Sequence, residues 1–370
     1  MQDNKETIII ATSLPFGTIT SYFHHLAKAF VKEGYRVVVV IDNNPSTLPK
    51  DEVNLFFRKW PNHRPTKWKD FAFLVQLLRE FKPLMCLSNF GSTNIVSVAS
   101  YFKGVPHRWN FVHTLGGQIR IDSGKKASFK SNLLDIRKRI VYRLNTHLIA
   151  NSQGTRNDVI KRFNVKGSKV FVHTFLIPET QLSLQTLKER SNTLSIVGRL
   201  AKSKGHFELL SQFKVLLAKY PEITLNIVGN GDEREHLEKE VARLEIKNNV
   251  IFSGNKSNDQ IGSVYANSLA HISASHEEAF GMVTIEALRE GTPVICTKTS
   301  GSLDILEPGI NGEFFEHSNQ NSLLEAFDKV IAHWKIYSQG AIRTFENTYS
   351  LKSMPYHIKI LINKLNNNNN

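Results

Sequence analysis

Residues 7–41 read TIIIATSLPFGTITSYFHHLAKAFVKEGYRVVVVI, and this stretch decides the fold class. An apolar, β-branched run at residues 7–12 is followed by a loop and by a helical pattern that continues to about Lys32. Gly34 ends that pattern, and a second apolar run follows at residues 36–41. A strand, a helix and a strand in this order form a βαβ unit, whose two strands are parallel. The sequence therefore predicts an α/β protein with a parallel sheet.

The same alternation continues along the chain in two series. The predicted strands are residues 7–12, 36–41, 84–88, 108–113, 147–150 and 169–172 in the first series, and 194–197, 224–228, 250–253, 270–273 and 293–296 in the second. We therefore predict two doubly wound, Rossmann-like domains that face each other across a cleft. The predicted boundaries are residues 1–178, residues 179–340, a helical segment at 341–365 that packs back on the first domain, and a disordered asparagine tail at 366–370.

Composition excludes several classes of protein. Hydrophobic residues make up 41% of the 370 residues, which is enough for more than one core and excludes a disordered or fibrous chain. Two cysteines in strand-like runs predict a reducing compartment rather than a disulfide framework. No apolar run reaches the roughly 18 residues that span a bilayer, and the polar first residues do not resemble a signal peptide. We therefore expect a cytoplasmic protein.

The net charge of +14 is concentrated in one half of the chain. Residues 1–180 contain 27 Lys and Arg against 12 Asp and Glu, whereas residues 181–370 contain 20 against 21. A basic half predicts an anionic partner, such as a nucleic acid, a lipid headgroup or a phosphorylated substrate. A merely solubilising surface is the alternative.

Two loops in the second half of the chain follow predicted strands and are candidates for a phosphate-binding site. Residues 197–205 read VGRLAKSKG, which places Arg199 and Lys204 at the carboxyl end of a strand. Two cations beside a helix N-terminus predict a diphosphate site, with solvated loop cations as the alternative. Residues 228–232 read VGNGD, but the third glycine of a dinucleotide motif is missing, which favours a tight turn.

Residues 275–288, SHEEAFGMVTIEAL, carry the strongest chemical signal. Glu278 precedes a predicted helix, and Glu286 lies about one and a half turns inside it. The glycine between them opens the helix, so the backbone N–H groups of residues 280–283 are predicted to bind phosphate. Carboxylates beside a diphosphate repel it unless they bind hydroxyl groups instead. The segment therefore predicts a polyhydroxylated ligand that bears a diphosphate, such as a nucleotide sugar.

Taken together, these motifs resemble the retaining glycosyltransferases of family four, which have the two-domain GT-B fold. Glu278 and Glu286 match the family's two glutamates separated by seven residues, and residues 198–205 match its Gly-Arg…Lys-Gly element. Further matches in the second half are a Val-Gly-x-Gly turn (Gly229, Gly231), a Gly-x-Pro-Val strand (Gly291, Pro293, Val294) and an Asn-Gly pair (Asn311, Gly312). Matches in the first half are Gly17, His113 and residues 150–152. The matches cover most of residues 190–335.

The resemblance implies roles for individual residues. The catalytic residues would be Arg199, Lys204, Glu278 and His113, and the donor-binding residues would be Gly17, Gly198, Gly229, Phe280, Gly281, Met282, Val283 and Glu286. Arg199 and Lys204 would hold the donor diphosphate, and Glu286 would bind the ribose hydroxyls. Glu278 would contact the transferred sugar, and His113 the sugar or the acceptor. A purely structural histidine is the alternative for His113.

A mechanism is implied as well. Retaining transfer can use a glycosyl-enzyme intermediate on a carboxylate, but the family implies a front-face reaction in which the leaving phosphate accepts the acceptor's proton. The chain would then contribute positioning and electrostatic stabilisation. The sequence has no Asp-x-Asp and no His/Cys cluster with metal-ligand spacing. We therefore expect no cofactor and no divalent metal.

The densest basic run lies within residues 125–143. Its cations are Lys125, Lys126, Lys130, Arg137, Lys138, Arg139 and Arg143, which only Asp135 opposes. Leu133, Ile136, Ile140 and Leu144 recur among them at helical spacing, which is typical of a basic amphipathic helix. We predict that it docks on the anionic inner face of the cytoplasmic membrane. The alternative is an ordinary helix whose apolar stripe is core and whose cations are solvated.

The sequence as a whole predicts a hexosyltransferase-type glycosyltransferase. It would move a sugar from a nucleoside-diphosphate sugar to a glycan or lipid-linked acceptor during synthesis of a surface polysaccharide (capsule, O-antigen or lipopolysaccharide). Alternatives are a phosphorylase or sugar-nucleotide epimerase of the same fold, a basic nucleic-acid-binding protein, or a catalytically silent scaffold. No RNA-recognition or zinc-finger signature is present, so we expect no nucleic-acid partner.

Overall fold

The structure is a computed structural model that describes residues 5–12, 17–41, 48–113, 115–123, 129–180, 184 and 186–367. The strands are β1 (Thr7–Ala11), β2 (Arg36–Ile41), β3 (Leu55–Lys59), β4 (Met85–Ser88), β5 (His107–Val112), β6 (His147–Ala150), β7 (Val170–Val172), β8 (Thr193–Val197), β9 (Thr224–Val228), β10 (Val250–Gly254), β11 (Ala270–Ser273), β12 (Val294–Thr297) and β13 (Gly312–Phe315). The helices are α1 (Thr18–Lys32), α2 (Trp68–Phe81), α3 (Thr93–Phe102), α4 (Gly116–Ser123), α5 (Phe129–Leu144), α6 (Gln153–Phe163), α7 (His206–Lys219), α8 (Arg234–Arg243), α9 (Asn258–Ala266), α10 (Met282–Arg289), α11 (Ser302–Ile305), α12 (Ser322–Ala332), α13 (Trp334–Thr344) and α14 (Met354–Asn366).

The chain separates into two compact units. By its described residues, the first unit is formed from the segments 1–113, 127–177 and 351–370, and the second from 114–126 and 178–350. Residues 341–350 thus group with the second unit, and so does α4, although it directly follows a strand of the first. Asn366, predicted as part of a disordered tail, is the last residue of α14, and residues 368–370 lie outside the described part.

The first unit contains a seven-stranded parallel sheet in the order β3-β2-β1-β4-β5-β6-β7. The strand order reverses between β1 and β4, which makes the sheet doubly wound. Every residue of β1 is buried, because helices cover both faces of a parallel sheet. Helix α1 packs against β2 and against α14, the last helix of the chain.

The second unit repeats this plan with a six-stranded parallel sheet in the order β10-β9-β8-β11-β12-β13. Its core joins apolar side chains from the strands, such as Ile272, to those of the covering helices, such as Phe213 and Phe327. The predicted α/β class with two doubly wound sheets is therefore confirmed. The strands that the sequence did not predict, β3 and β13, are both edge strands.

The two cysteines lie in the cores of the two sheets. Cys86 is in β4 and Cys296 in β12, and both are fully buried free thiols. Burial raises the pKa of both thiols far above the ordinary value. These side chains therefore act as small apolar core residues.

The loops after β8 and β9 pack backbone against backbone. The Gly198 N–H donates to the Val228 carbonyl at 2.9 Å, and the Leu200 N–H donates to the Asn230 carbonyl at 3.0 Å. A Cβ on Gly229 would lie 1.9 Å from the Gly198 oxygen, and a Cβ on Gly231 would lie 2.3 Å from the Leu200 oxygen. The Val-Gly-x-Gly segment is thus glycine-rich because the neighbouring loop leaves no room for side chains.

This packing predicts that Gly231→Ala destabilises the protein through steric overlap alone, since Gly231 has no left-handed backbone angle. We expect the free energy of unfolding to fall by about 1–3 kcal/mol, the usual cost of overpacking. Gly167→Ala is the matched control, because its added Cβ would meet its nearest atom at 3.6 Å. Denaturant unfolding of both variants tests this, and equal stabilities would contradict it.

Candidate functional site

Two loops of the second unit bring Lys204 and Glu278 into contact. Lys204 ends a short turn after β8, and Glu278 lies in the loop between β11 and α10. The Lys204 ammonium donates to Oε2 of Glu278, and both side chains are mostly buried. The Ser275 hydroxyl lies 3.4 Å from the same oxygen. The structure therefore joins the Lys-Gly element and the first glutamate into one charged pair.

Arg199 meets a carboxylate that the sequence analysis did not identify. Its guanidinium donates to Oδ2 of Asp122, and the Ser203 N–H donates to Oδ1 of Asp122 at 3.0 Å. Partial burial raises the pKa of Asp122. The hydrogen bonds from Ser203 and the charge of Arg199 lower that pKa by more than burial raises it, so it lies below its ordinary value. Asp122 belongs to α4 and therefore to the second unit. Because its pKa is lowered, its carboxylate is ionised at neutral pH.

The N-terminus of α10 opens between the two predicted glutamates. Gly281 caps the helix with φ of 100°, a left-handed angle that favours glycine, and no side chain caps it. The Gly281 carbonyl accepts from the N–H groups of Thr284 and Ile285, which leaves the N–H groups of Met282 and Val283 without an intrahelical acceptor. That the backbone N–H groups of residues 280–283 bind phosphate stays a prediction.

Glu286 lies on α10 as predicted, half-buried and near Tyr265. Burial, and after it the charge of Glu286, raise the pKa of the Tyr265 hydroxyl well above its ordinary value.

The loop that carries Glu278 packs against the backbone at Gly301. The Gly301 N–H donates to the Glu278 carbonyl at 2.9 Å, and a Cβ on Gly301 would lie 2.2 Å from the Phe280 oxygen.

A cavity of about 270 Å³ lies beside these loops in the same unit, with Ile121, Phe207 and His276 among its lining residues. His276 lies 3.3 Å from the Glu208 carboxylate, and this hydrogen bond raises the pKa of His276. His206 also lines the cavity, but burial lowers its pKa to about 4.

In the first unit, polar side chains follow three neighbouring strands. Asn89 follows β4, His113 follows β5 and Asn151 follows β6. Within the described residues, both ring nitrogens of His113, both amide atoms of Asn89 and Oδ1 of Asn151 are buried without a hydrogen-bond partner. Among the residues that the structure describes, therefore, no hydrogen bond holds the ring of His113 in place.

Aromatic rings surround His113. Phe90 stacks on it with ring centroids 4.2 Å apart, and Phe175 stacks at 5.1 Å. Phe90 has φ of 45°, a left-handed angle that costs a bulky residue energy. Burial lowers the pKa of His113 to about 3, so the imidazole is neutral at physiological pH.

The predicted site residues thus fall into two groups. Gly17 and His113 lie in the first unit. The second unit contains the others, which are Arg199, Lys204, Glu278, Glu286, Gly198, Gly229, Phe280, Gly281, Met282 and Val283. Gly17 caps α1 with φ of 116°, and a Cβ added there would meet nothing within 4 Å. In the described part of the chain, no three His, Cys, Asp or Glu side chains form a group that could hold a metal ion. Metal independence itself stays a prediction.

Helix α5 turns the apolar stripe of the basic segment outward. Leu133, Ile136 and Ile140 are 58%, 53% and 56% exposed. Arg137, Arg139 and Arg143 are exposed beside them, whereas Val141 and Tyr142 are buried on the opposite side. The alternative of an apolar stripe buried in the core is therefore wrong for these residues.

The prediction that Lys138 is one of the exposed, membrane-binding cations is wrong. It was assigned to the outward cations, but it is half-buried, with its nitrogen 5.8 Å from the centre of the Phe163 ring. Burial lowers the pKa of its ammonium. Lys125 and Lys126 lie outside the described residues, and for Lys130 only its position in α5 is described. Among the described helices, none is long and apolar enough to cross a bilayer.

Comparison with known proteins gives a consistent result for both halves. Residues 179–341 match the profile described as glycosyl transferases group 1, and residues 19–173 match that of glycosyltransferase family 4. The capsular polysaccharide biosynthesis glycosyltransferase CapM of Staphylococcus aureus is 26% identical over 71% of each chain. A glycosyltransferase of Haemophilus influenzae is 32% identical, but over 44% of this chain and 45% of its own length.

Solved structures agree on the fold. Sucrose-phosphate synthase of Thermosynechococcus elongatus matches with a TM-score of 0.76 and 16% identity, over 98% of this chain and 99% of its own. Anabaena HepE in complex with UDP-glucose matches with a TM-score of 0.70 and 16% identity, over 97% and 99%. Fold and profiles together define the chain as a glycosyltransferase with the two-domain GT-B fold. It belongs to the glycosyltransferases that resemble family four.

The histidines of the second unit provide a pH prediction. We expect His276 to titrate above 6.5 and His206 near 4, because Glu208 stabilises the charge of His276 while burial disfavours that of His206. The pair of His276 with Glu208 therefore stabilises the fold fully between about pH 4.5 and 6.5. It loses this contribution as pH rises through the raised pKa of His276 or falls through the lowered pKa of Glu208. NMR titration of the ring protons measures both values. Glu208→Gln should lower the pKa of both rings, and that of His276 more, because only His276 is hydrogen-bonded to Glu208. An unchanged pKa of His276 would contradict the assignment.

Proposed function

We propose that this glycosyltransferase moves a sugar from a nucleoside-diphosphate sugar to a glycan or lipid-linked acceptor, with retention at the anomeric carbon and without a divalent metal. The observation that carries the proposal is the contact of the Lys204–Glu278 pair beside the uncapped N-terminus of α10. The naming of CapM for capsular polysaccharide and the UDP-glucose complex of HepE support the same substrate classes. We propose synthesis of a surface polysaccharide as the setting.

The charges of the site suit a diphosphate. Arg199 keeps 60% of its side chain exposed, so an incoming anion can reach its guanidinium. Lys204 is more enclosed, and its charge is worth more where water is excluded. Together with the Met282 and Val283 N–H groups, these side chains form an anion site that stabilises negative charge on the departing phosphate.

The carboxylates have different tasks in this proposal. Glu286 and Glu278 accept hydrogen bonds from hydroxyl groups of the ribose and the transferred sugar, and Glu278 also holds Lys204 in place through their ion pair. No side chain has to act as a general base, because the leaving phosphate itself takes the acceptor's proton. Catalysis then rests on positioning and on electrostatic stabilisation.

Nucleotide binding tests the donor site. We expect one nucleoside diphosphate to raise the unfolding temperature in EDTA, since ligand at about 100 times its Kd adds roughly 2.7 kcal/mol. Arg199→Ala and Glu286→Ala should each abolish most of the shift, because one removes a phosphate ligand and the other a ribose ligand. Differential scanning fluorimetry with uridine, guanosine and adenosine diphosphates measures it.

Lys214→Ala is the control for that experiment, since Lys214 is an exposed cation of α7 in the same unit. It should shift with nucleotide as the wild type does. A shift that survives in both Arg199→Ala and Glu286→Ala would place the nucleotide elsewhere and refute the donor site. A shift that appears only with divalent metal would refute metal independence.

We further propose that α5 docks the enzyme on an anionic membrane surface to reach the lipid-linked acceptor. Exposed isoleucines and leucines flanked by arginines on one helix face fit a bilayer interface with acidic headgroups. Burying an isoleucine in that interface contributes about 1.5–3 kcal/mol. The arginines add electrostatic attraction that falls with salt.

Vesicle flotation tests this docking. The wild type should float with vesicles that contain phosphatidylglycerol and should remain in solution with purely zwitterionic vesicles. Ile136→Ser combined with Ile140→Ser should reduce flotation at least tenfold, whereas Ile336→Ser, an equally exposed isoleucine of α13, should not. Flotation that is absent in the wild type or unchanged in the double variant would refute the proposal.

A further inference from the structure

Helix α4 is held on the second unit at three points. Asp122 contacts Arg199 and the Ser203 N–H, and Ile121 lines the cavity that also contains Phe207. At the start of the helix, Gly117 packs against Glu277 so closely that a Cβ would lie 2.8 Å from Oε1 of that residue. These contacts place α4 directly over the Lys202–Lys204 turn and beside the glutamate loop.

Asp122 has the chemistry of a bound anion in this position. Its two oxygens accept from one guanidinium and one backbone N–H, the same kinds of donor that bind a phosphate oxygen. The lowered pKa of Asp122 shows that these donors favour its charged form. A phosphate that reached Arg199 and the Ser203 N–H would therefore compete with this carboxylate for the same donors.

We propose that Asp122 is an internal stand-in for the donor phosphate, so that donor binding displaces it and releases α4 from the second unit. The inference rests on the proposed function, since it takes Arg199 as a ligand of the diphosphate. Release removes a like charge that would otherwise lie beside the diphosphate. It also uncovers the cavity lined by Ile121 and Phe207.

The displaced helix connects donor binding to the first unit through the chain itself. Three residues separate the end of β5 from the start of α4, and His113 is the first of them.

Isothermal titration with the nucleotide that gives the largest thermal shift, and with inorganic pyrophosphate, tests the stand-in. Asp122→Asn should bind both about three- to tenfold more tightly than the wild type, the effect of removing a partly exposed ionic competitor. Ile121→Ser should tighten binding in the same direction, because it loosens α4 without touching Arg199. Thermal unfolding confirms that both variants fold.

Hydrogen exchange supplies a second readout. Saturating nucleotide should increase exchange of the amides of residues 116–123 and decrease exchange of those at 282–283 in the wild type. If Asp122 instead positions Arg199, Asp122→Asn weakens binding and residues 116–123 become more protected, and either result overturns the stand-in while leaving the donor site intact. Failure of wild type and variants alike to bind nucleotide or pyrophosphate overturns the proposed function together with this inference.

Discussion

Contact between two backbone loops fixes the geometry on which the second unit's site depends. The loop after β8 carries Arg199 and Lys204, and the loop after β9 packs against it without intervening side chains. Because main-chain atoms cannot change rotamer, this contact does not depend on side-chain torsions. The charged groups of the site therefore project from a rigid edge, and their flexibility is limited to their own side-chain torsions.

Charge compensation is the second organising feature of this site. Arg199 and Lys204 would repel each other and attract stray anions if nothing opposed them, yet each has a carboxylate partner. The two pairs differ in burial. Lys204 and Glu278 are both enclosed, so separating them is costly, whereas Arg199 is well exposed and its pairing with Asp122 is weak. The site can thus exchange one partner while keeping the other.

The sequence predicted the fold class because buried parallel strands appear as unbroken apolar runs, as in β1 and β2. It missed β3 and β13, since each lies at a sheet edge and contains charged residues. The predicted limits of internal strands such as β6, β9 and β11 agree with the structure, and Asn151 and Gly229 mark the ends of the first two.

The sequence pattern predicted the site residues that lie close together in the sequence. Glu278, Gly281 and Glu286 lie within one segment, so their placement around a helix start followed from spacing. Asp122 gave no such signal, because it lies 77 residues before Arg199 and a lone aspartate in a polar helix has no pattern. In α5 the periodicity showed which residues share a face, but only packing decides which face is inward, and Lys138 was therefore misassigned.

The burial of the two cysteines has a practical consequence for labelling the enzyme to measure its conformational changes. Cys86 and Cys296 are sealed inside separate sheets, where burial keeps both thiols protonated and out of reach of maleimides or iodoacetamide. A cysteine introduced at any exposed position would then be the only reactive thiol of the folded protein. Fluorophores or spin labels can accordingly be attached one at a time to the native background, with no need to remove core residues first.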